Sequence, residues 1–570
     1  MIKKAFIIVT MVVLAINAFG QVPPKKMWVS GYARSTIFMD EITQADSTPV
    51  PKTHYGHTLI DLSANIRPNK STFIRGTVRI RNEYGGFWGS GITFDLRELY
   101  VKGLIANTVR YQLGDINYKL TPFTLHNYDE AFAEKSLDIF KMYRDMLHND
   151  LFYNEDNTWR QQGAAVDFAL TFSKLAEEMK FNFFASRINP TDFGPTEERL
   201  FAGANASLIQ SKYLTAGVNY INMFDLEGTS TDTLYLRNPV ISGTYALKYD
   251  LNNMHFELNG EGGASKAYIE NNDDLPTTED FFGFTELKAT YNPLKITFKA
   301  AFRDVGANFR SPGAQMRRLK FGVNPMAYER YTGDEILRPV GMWDFMNDPS
   351  MYNTQISNKL LPFYPQYSNI EPYGMATPNR TGFDFTLMHQ GKNDSYSLTA
   401  TYKNLNEVIG QGTEELRNFQ VMAVDGVVNI DKFLSSFDRK IAVQLGYENG
   451  STQRESDLEF EQVDLKTETI RAGLTFEFVE KFELLAGVQL YTAKGNEEIA
   501  ERDQQNDVYY FHSFNTDLKE DMLGAGLRYT FAEKMTLQAL YQKYTWSDKE
   551  LTQKPDYGFN RIAVVFQMKF

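Results

Sequence analysis

The chain has 570 residues, a formal net charge of −12, no cysteine, and 14% aromatic residues against a mean hydropathy of −0.39. Without thiols, disulfide frameworks, zinc–thiolate centres and cysteine nucleophiles are excluded, and the acidic balance argues against nucleic acid as a partner. A chain rich in aromatics yet polar on average suits strands that alternate a lipid-facing with a water-facing residue, although a large secreted β protein would use the same composition.

Residues 1–20 place Lys3 and Lys4 ahead of an apolar run that ends in Ala18, Phe19 and Gly20, the order of a secretory signal peptide. Nothing after Gln21 approaches the ~20 apolar residues of a spanning helix, so a membrane-bound chain of this kind would cross as strands. Met27–Met39 reads as the first strand, about 56–66 as the second and 72–84 as the third, with no room for a plug domain ahead of Met27. From there a tight turn and a longer connection alternate. The tight turns are expected at 67–70, 104–107, 173–178, 209–212, 250–253, 292–294, 391–394, 431–437, 479–481 and 532–534.

Such alternation is the habit of transmembrane barrels, whose periplasmic turns are short and outer loops long, whereas a sandwich varies its loops at both ends. The expected fold is therefore all-β: a transmembrane antiparallel up-and-down β-barrel of about 22 strands (20 to 24), with residues 21–570 as one domain. Strand faces agree. Ile441, Val443, Leu445 and Tyr447 oppose Lys440, Gln444 and Glu448, and Ile296, Phe298 and Phe302 oppose Lys295, Lys299 and Arg303. Outward-phase Tyr249, Tyr291, Phe478, Phe531 and Phe570 recur beside the tight turns, as a membrane-boundary girdle would. In the fourth strand Phe94 and Leu96 share one parity and Leu99 and Val101 the other, which predicts a β-bulge at Arg97-Glu98.

Two connections are far longer than the rest, 119–159 and 306–378. In the first, Phe132, Leu137, Phe140, Tyr143 and Leu147 repeat at roughly helical spacing and predict a helix within 129–147. The second is rich in Pro, Met and aromatics, including Pro362, Phe363, Tyr364, Tyr367 and Tyr373, which need burial. A 22-strand barrel is about 44 Å across. Something must fill so wide a hole, and these two insertions are the candidates for a lumen constriction.

The candidate pore-lining residues are inward-phase cations: Arg75, Arg79 and Arg81 on the third strand, Arg110 on the fifth, then Lys299, Arg303, Arg471 and Arg528. A ladder of this kind attracts anions; equally, carboxylates such as Glu257, Glu261, Glu286 and Asp384 could neutralise it as salt bridges. His54 and His57 read as a solvated loop edge rather than a metal site, and Glu270–Asp274 as an acidic outer loop rather than a calcium site. No nucleophile motif such as G-x-S-x-G is present. The expectation is a non-enzyme with no catalytic residue, cofactor or metal.

The final strand, Tyr557 to Phe570, sets Ile562, Val564, Phe566, Met568 and Phe570 on one face and stops on an aromatic residue. With the alternating turns and the signal peptide, this resembles bacterial outer-membrane β-barrels of the porin and transporter kind, and the Gln after the signal and the Tyr, Phe and Asn content resemble those of Bacteroidota. The resemblance implies a place in the Gram-negative cell outer membrane, in contact with its lipid and lipopolysaccharide, and handling by the barrel assembly machinery with Phe570 as the assembly signal. It departs from TonB-dependent receptors, because neither plug nor TonB box precedes Met27, which argues against energised transport. The expected function is a channel or uptake barrel passing small polar or anionic solutes through a loop-constricted lumen. The alternative is a scaffold or docking barrel in a secretion or surface complex, without transport of its own.

Overall fold

The two-residue period is realised along nearly the whole chain. The computed structural model describes residues 26–44, 52–84, 92–126, 137–151, 161–174, 176–189, 197–229, 234–272, 274–315, 360, 363–367, 369–434, 437–502, 508–551 and 556–570. Among them 22 strands form one antiparallel sheet: β1 Met27–Gln44, β2 Thr53–Asn69, β3 Thr72–Glu83, β4 Ile92–Ile105, β5 Val109–Ile116, β6 Gln161–Thr171, β7 Glu178–Asn189, β8 Arg199–Ser211, β9 Leu214–Asp225, β10 Leu236–Leu251, β11 Met254–Ile269, β12 Thr278–Tyr291, β13 Ile296–Val305, β14 Arg380–Gln390, β15 Tyr396–Asn406, β16 Asn418–Asn429, β17 Ile441–Arg454, β18 Val463–Val479, β19 Phe482–Arg502, β20 Val508–Ala532, β21 Met535–Asp548 and β22 Tyr557–Lys569. Each strand pairs with its neighbours in sequence, and β1 pairs with β22 from Tyr32 opposite Lys569 to Gln44 opposite Tyr557. The sheet is thus a closed barrel with no free edge. That matters in hydrocarbon, where an unpaired backbone group costs several kcal/mol.

The strand ends place the ten tight turns within about three residues of where the sequence put them, all at one end. Several strands run longer than expected: β1 continues to Gln44, β2 spans Thr53–Asn69, and β20 starts at Val508. The bulge in β4 is present. Thr77 faces Glu98 and Val78 faces Leu96, so Arg97 is the extra residue.

One face of each strand is apolar and exposed, as at Ile37 (44%) and Leu445 (58%), and Tyr249, Tyr291, Phe478, Phe531 and Phe570 are exposed beside the tight turns. Leaving large apolar side chains in water forfeits about 1.5–3 kcal/mol each. A whole belt of them is compatible only with lipid. Among the described residues no helix is long and apolar enough to cross a membrane, so the crossing is made by strands.

At the seam, Arg561 Nε and Nη2 each donate to Asp40 at 2.6 Å, Tyr55 OH donates to Asp40 at 2.8 Å, and the Phe559 ring lies 4.7 Å from the guanidinium. Both charged side chains are completely buried. Removing one member of such a pair leaves a buried, uncompensated charge at a cost of about 3–5 kcal/mol. Asp40→Ala should therefore lower the temperature at which the folded barrel unfolds in a heat-dependent gel-shift assay. Asp40→Ala with Arg561→Met should recover part of the loss, and a double variant no better than the single one would refute the argument.

The insertions lie inside. After a turn at Leu137–Phe140, helix α1 spans Lys141–Leu151 and overlaps the stretch that the apolar spacing indicated, of which residues 129–136 lie outside the described residues. The turn ahead of the helix is tied to the wall: the backbone N–H of Asp138 donates to Gln444 Oε1 at 2.6 Å and its carboxylate accepts from Arg528. Phe132 lies outside the described residues, and so does the side chain of Leu147. Leu137, Ile139, Phe140, Met142, Tyr143 and Met146 pack with inward residues of β19 to β22 and β1, including Leu485, Met522, Leu540, Phe559 and Phe38. Opposite, Phe123, Leu125, Phe309, Ala314 and Ala376 pack against Phe201, Ile221, Val240 and Phe282. Of the aromatics in the second insertion, Tyr367 and Tyr373 are buried, Phe363 is half-buried and Tyr364 is exposed, while Pro362 is outside the described residues.

Candidate functional site

The inner wall is shaped for the first insertion. Gly473, Gly487 and Gly524 stand side by side on β18, β19 and β20, paired Gly473 to Gly487 and Gly487 to Gly524. With no side chains there, the wall has a groove. A Cβ on Gly487 would stand 2.7 Å from Ile139, and one on Gly524 2.8 Å from Phe140. The groove is bordered by polar anchors. Asp138 accepts from Arg528 Nη1 and Nη2 at 3.0 and 2.8 Å and from Thr475 Oγ1 at 2.8 Å, and Gln538 donates to the carbonyl of Ile139 at 3.0 Å. Burial by itself raises the Asp138 carboxyl, but the hydrogen bonds and charge of Arg528 outweigh it and bring the pKa from 3.8 down to about 2. It is a carboxylate at every physiological pH.

The other end of the same segment meets arginines. Arg97 Nη2 donates to the carbonyl of Asn149 at 2.6 Å, Arg79 Nη2 to the same oxygen at 3.5 Å, and Arg34 Nη1 to the carbonyl of Met146 at 3.4 Å. Asn149 is among the last four residues of the helix, whose carbonyls lack intrahelical partners and carry its negative dipole end, and Met146 lies one turn earlier. Guanidinium groups on the wall supply both hydrogen bonds and charge. The bulge in β4 is what brings Arg97 into the set, where it also reaches Asp61 at 3.2 Å beside the Arg79–Asp61 pair at 2.7 Å.

The second insertion is held in the same way. Glu371 pairs with Arg303, itself paired with Asp384, and with Lys403 at 2.5 Å. Burial raises the Glu371 carboxyl, but Arg303 and Lys403 hold it well below the usual range. Asn369 Nδ2 donates to Thr452 at 2.9 Å and to Glu497 at 2.5 Å, Tyr367 OH donates to Glu520, and its ring stacks on Tyr491 at 5.5 Å.

The eight candidate pore-lining cations divide by exposure. Arg79, Arg303 and Arg471 are buried at 4% or less, the last pairing with Asp425 at 2.7 Å, and Arg528 is 16% exposed between Asp138 and Glu483. Arg75 pairs with Glu98 at 3.1 Å, Arg81 with Glu83 at 2.5 Å, and the 73% exposed Arg110 with Asp167 at 2.5 Å. Lys299 is half-buried and, among the described residues, forms no ion pair. The barrel does not gather these residues into one cluster; it spreads them around the wall.

His57 differs from the expectation of a solvated edge. It is buried in the lumen, with Arg34 Nη2 at 3.0 Å from its Nε2 and Thr36 Oγ1 at 3.2 Å from its Nδ1, because it sits within β2 opposite Thr36 of β1, where Arg34 and Thr36 cover it. His54 stays exposed. In the acidic stretch Glu270–Asp274, Glu270 pairs with Arg237, and Asp273 is outside the described residues. Phe570 exchanges backbone hydrogen bonds with Gly31 at 2.8 and 3.0 Å, and its ring lies where a Cβ on Gly31 would fall. The glycine row, Asp138 and Arg97's reach to the helix were missed in the sequence. Only the parity break in β4 hinted at any of them.

No known protein family and no curated protein matches the chain. Among solved structures, the translocation pore of the P pilus usher PapC aligns over 95% of this chain and 99% of its own, at 8% identity and a TM-score of 0.38. A BenF-like porin from Pseudomonas fluorescens Pf-5 aligns over 96% and 99% at 10% identity and a TM-score of 0.36. OccK5 (OpdH) from Pseudomonas aeruginosa aligns over 95% and 98% at 9% identity and a TM-score of 0.35. On its own geometry, a closed antiparallel barrel with an apolar exterior and a charged interior, the chain is a transmembrane β-barrel of the outer-membrane type.

Proposed function

We propose that this protein is an outer-membrane channel or uptake barrel that passes small polar or anionic solutes through a lumen narrowed by its two long insertions. The observation that carries this reading is that both insertions are seated on the inner wall by fitted contacts, the glycine groove and Asp138 on one side and Glu371 on the other. A barrel used only as an outer scaffold has no need of a fitted filling. In this reading the buried Arg79, Arg303 and Arg528 hold the filling and Arg471 braces the wall through Asp425, while the more exposed Arg75, Arg81, Arg110 and Lys299 act on the solute. The tight turns face the periplasm, residues 1–20 are the secretory signal, Phe570 is the assembly signal, and no catalysis or cofactor is involved. The surrounding partners are outer-membrane lipid, lipopolysaccharide and the barrel assembly machinery.

Planar-bilayer recording of the purified protein tests the reading. Discrete conductance steps are expected, with a reversal potential in a salt gradient that moves toward cations when Arg75, Arg110 and Lys299 are replaced together by Gln, because fixed charges set selectivity where a pore is narrow. An unchanged reversal potential would mean that Glu98 and Asp167 already neutralise the arginines. Absence of any conductance in a folded barrel would sink the channel and favour the docking role.

A further inference from the structure

We infer that the tight-turn end of the lumen holds a binding site for an anionic polyol, a hydroxyl-rich, sugar-sized solute carrying one carboxylate or phosphate. The inference deepens the solute-passage reading and rests on it for its physiological meaning. Its starting point is a contrast in how cations are used. Deeper in the barrel the buried Arg79, Arg303, Arg471 and Arg561 are each satisfied by carboxylates. At the tight-turn end, Arg67, Lys70 and Lys102 form no ion pair among the described residues. Instead the Arg67 guanidinium lies 5.2 Å from the Trp28 ring centroid and 5.8 Å from that of Phe73, and Lys102 Nζ lies 5.4 Å from Phe73 and 5.1 Å from Tyr100. Aromatic faces hold a cation in place without cancelling its charge as a carboxylate does. Glu98, four residues deeper than Lys102 on β4, is taken by Arg75 and by Thr77 Oγ1 at 3.3 Å.

These cations line a cavity of about 720 Å³ together with Phe73, Tyr118 and Arg110, the last already paired with Asp167. Tyr118 is fixed by stacking on Phe184 at 4.8 Å. Through Asn117, Tyr118 and Asn182 the cavity continues into a second one of about 360 Å³, whose wall includes Asn205, Asn219 and Thr244. The asparagines are linked around the wall: Asn182 donates to Asn205 at 3.0 Å, Asn205 to Asn219 at 2.7 Å, and Asn219 to Ser242 at 3.1 Å. Asn219 is buried and braces the row, while Asn117, Asn182 and Asn205 stay at least partly exposed, and an amide carries both donor and acceptor, which is what a row of hydroxyl groups needs. A positive, ring-walled pocket opening onto an amide shelf that also carries Lys119 matches a solute with a charged end and a hydroxylated body. A small inorganic anion would use only the first half, and an uncharged sugar only the second.

The test is isothermal titration calorimetry of the full-length protein in detergent micelles, with sodium galacturonate, glucose 6-phosphate, galactose and sodium acetate as probes. Binding of at least one of the two acidic sugars is expected, at least tenfold tighter than galactose and acetate. Which acidic sugar binds distinguishes carboxylate from phosphate. Arg67→Gln with Lys102→Gln, checked for folding by heat-dependent gel shift, should weaken acidic-sugar binding at least tenfold, and Asn205→Ala should shrink the preference for galacturonate over acetate. Acetate binding as tightly as both acidic sugars, no binding of either, or binding indifferent to the Arg67 and Lys102 changes would overturn the site. Conductance in bilayers is read separately: a protein that conducts but binds neither acidic sugar keeps the channel and loses this site, and one that binds but does not conduct does the reverse.

Discussion

Excising residues 306–378 through a short glycine–serine linker should give a barrel that still assembles but conducts several-fold more and admits larger solutes. The excision is geometrically mild, because β13 and β14 are already paired up to Val305 opposite Arg380, and the N–H of Asn379 donates to the carbonyl of Gly306 at 3.2 Å. What leaves is interior filling: Phe309, Ser311, Ala314, Tyr367, Tyr373 and Ala376 are all buried against the lumen wall or against each other. The excision also strips Glu371 from Arg303 and Lys403, but Arg303 keeps Asp384, so the wall is weakened at that point rather than left with a wholly unpaired arginine. Single-channel recording with polyethylene glycols of graded size reads the widening. A folded excision variant with unchanged conductance and size cut-off would show that the segment stands clear of the conducting path.

The second large effect is expected from the other insertion. Asp138→Ala removes two hydrogen bonds from Arg528 and one from Thr475, and Glu483, at 2.5 Å from Arg528 Nε, remains to neutralise the arginine. With that compensation the loss is on the order of 2–3 kcal/mol, or roughly a 30- to 150-fold shift from the seated to the unseated segment. Gly487→Val should act in the same direction by filling the groove that Ile139 occupies. Both variants should show frequent transitions to a larger conductance, and the double variant should add little, since each breaks the same seat. Stable, wild-type-like records from both would refute it.

The Asp138 anchor also fixes a pH response. Its pKa is lower when seated, about 2, than its ordinary 3.8, so its contribution is complete above about pH 5 and fades as pH falls through 3.8 toward 2. Conductance should accordingly be flat between pH 8 and 5 and change only in strong acid. A transition between pH 8 and 5 would refute the assignment to Asp138.

Local periodicity carried the fold into the sequence, and long-range register kept the site out of it. The turn spacing needs only neighbouring residues, and the parity break between Leu96 and Leu99 revealed the bulge because one extra residue swaps the two faces of a strand. By contrast, Asp138 and Arg528 are 390 positions apart. Gly473, Gly487 and Gly524 become a groove only once three strands are in register. The inward arginines could be recognised as inward, but whether each faced water, a carboxylate or a helix end depended on segments that no strand pattern describes. Helical spacing likewise identified Tyr143 as buried, whereas the ties of Asp138 to Gln444 and Arg528, 306 and 390 positions away, leave no local trace.

The seam between β1 and β22 dictates an order of events. Asp40 and Arg561 meet across 521 positions. Bringing together such distant points of a loose chain costs about 5–6 kcal/mol in configurational entropy alone, comparable to what the buried pair can return. The seam is therefore a poor place to start and a natural place to finish: hairpins formed at the tight turns shorten the effective path until the first and last strands are already neighbours. Until that moment two edges stay open, and a chain stalled one strand short would offer both of them to any other extended polypeptide nearby.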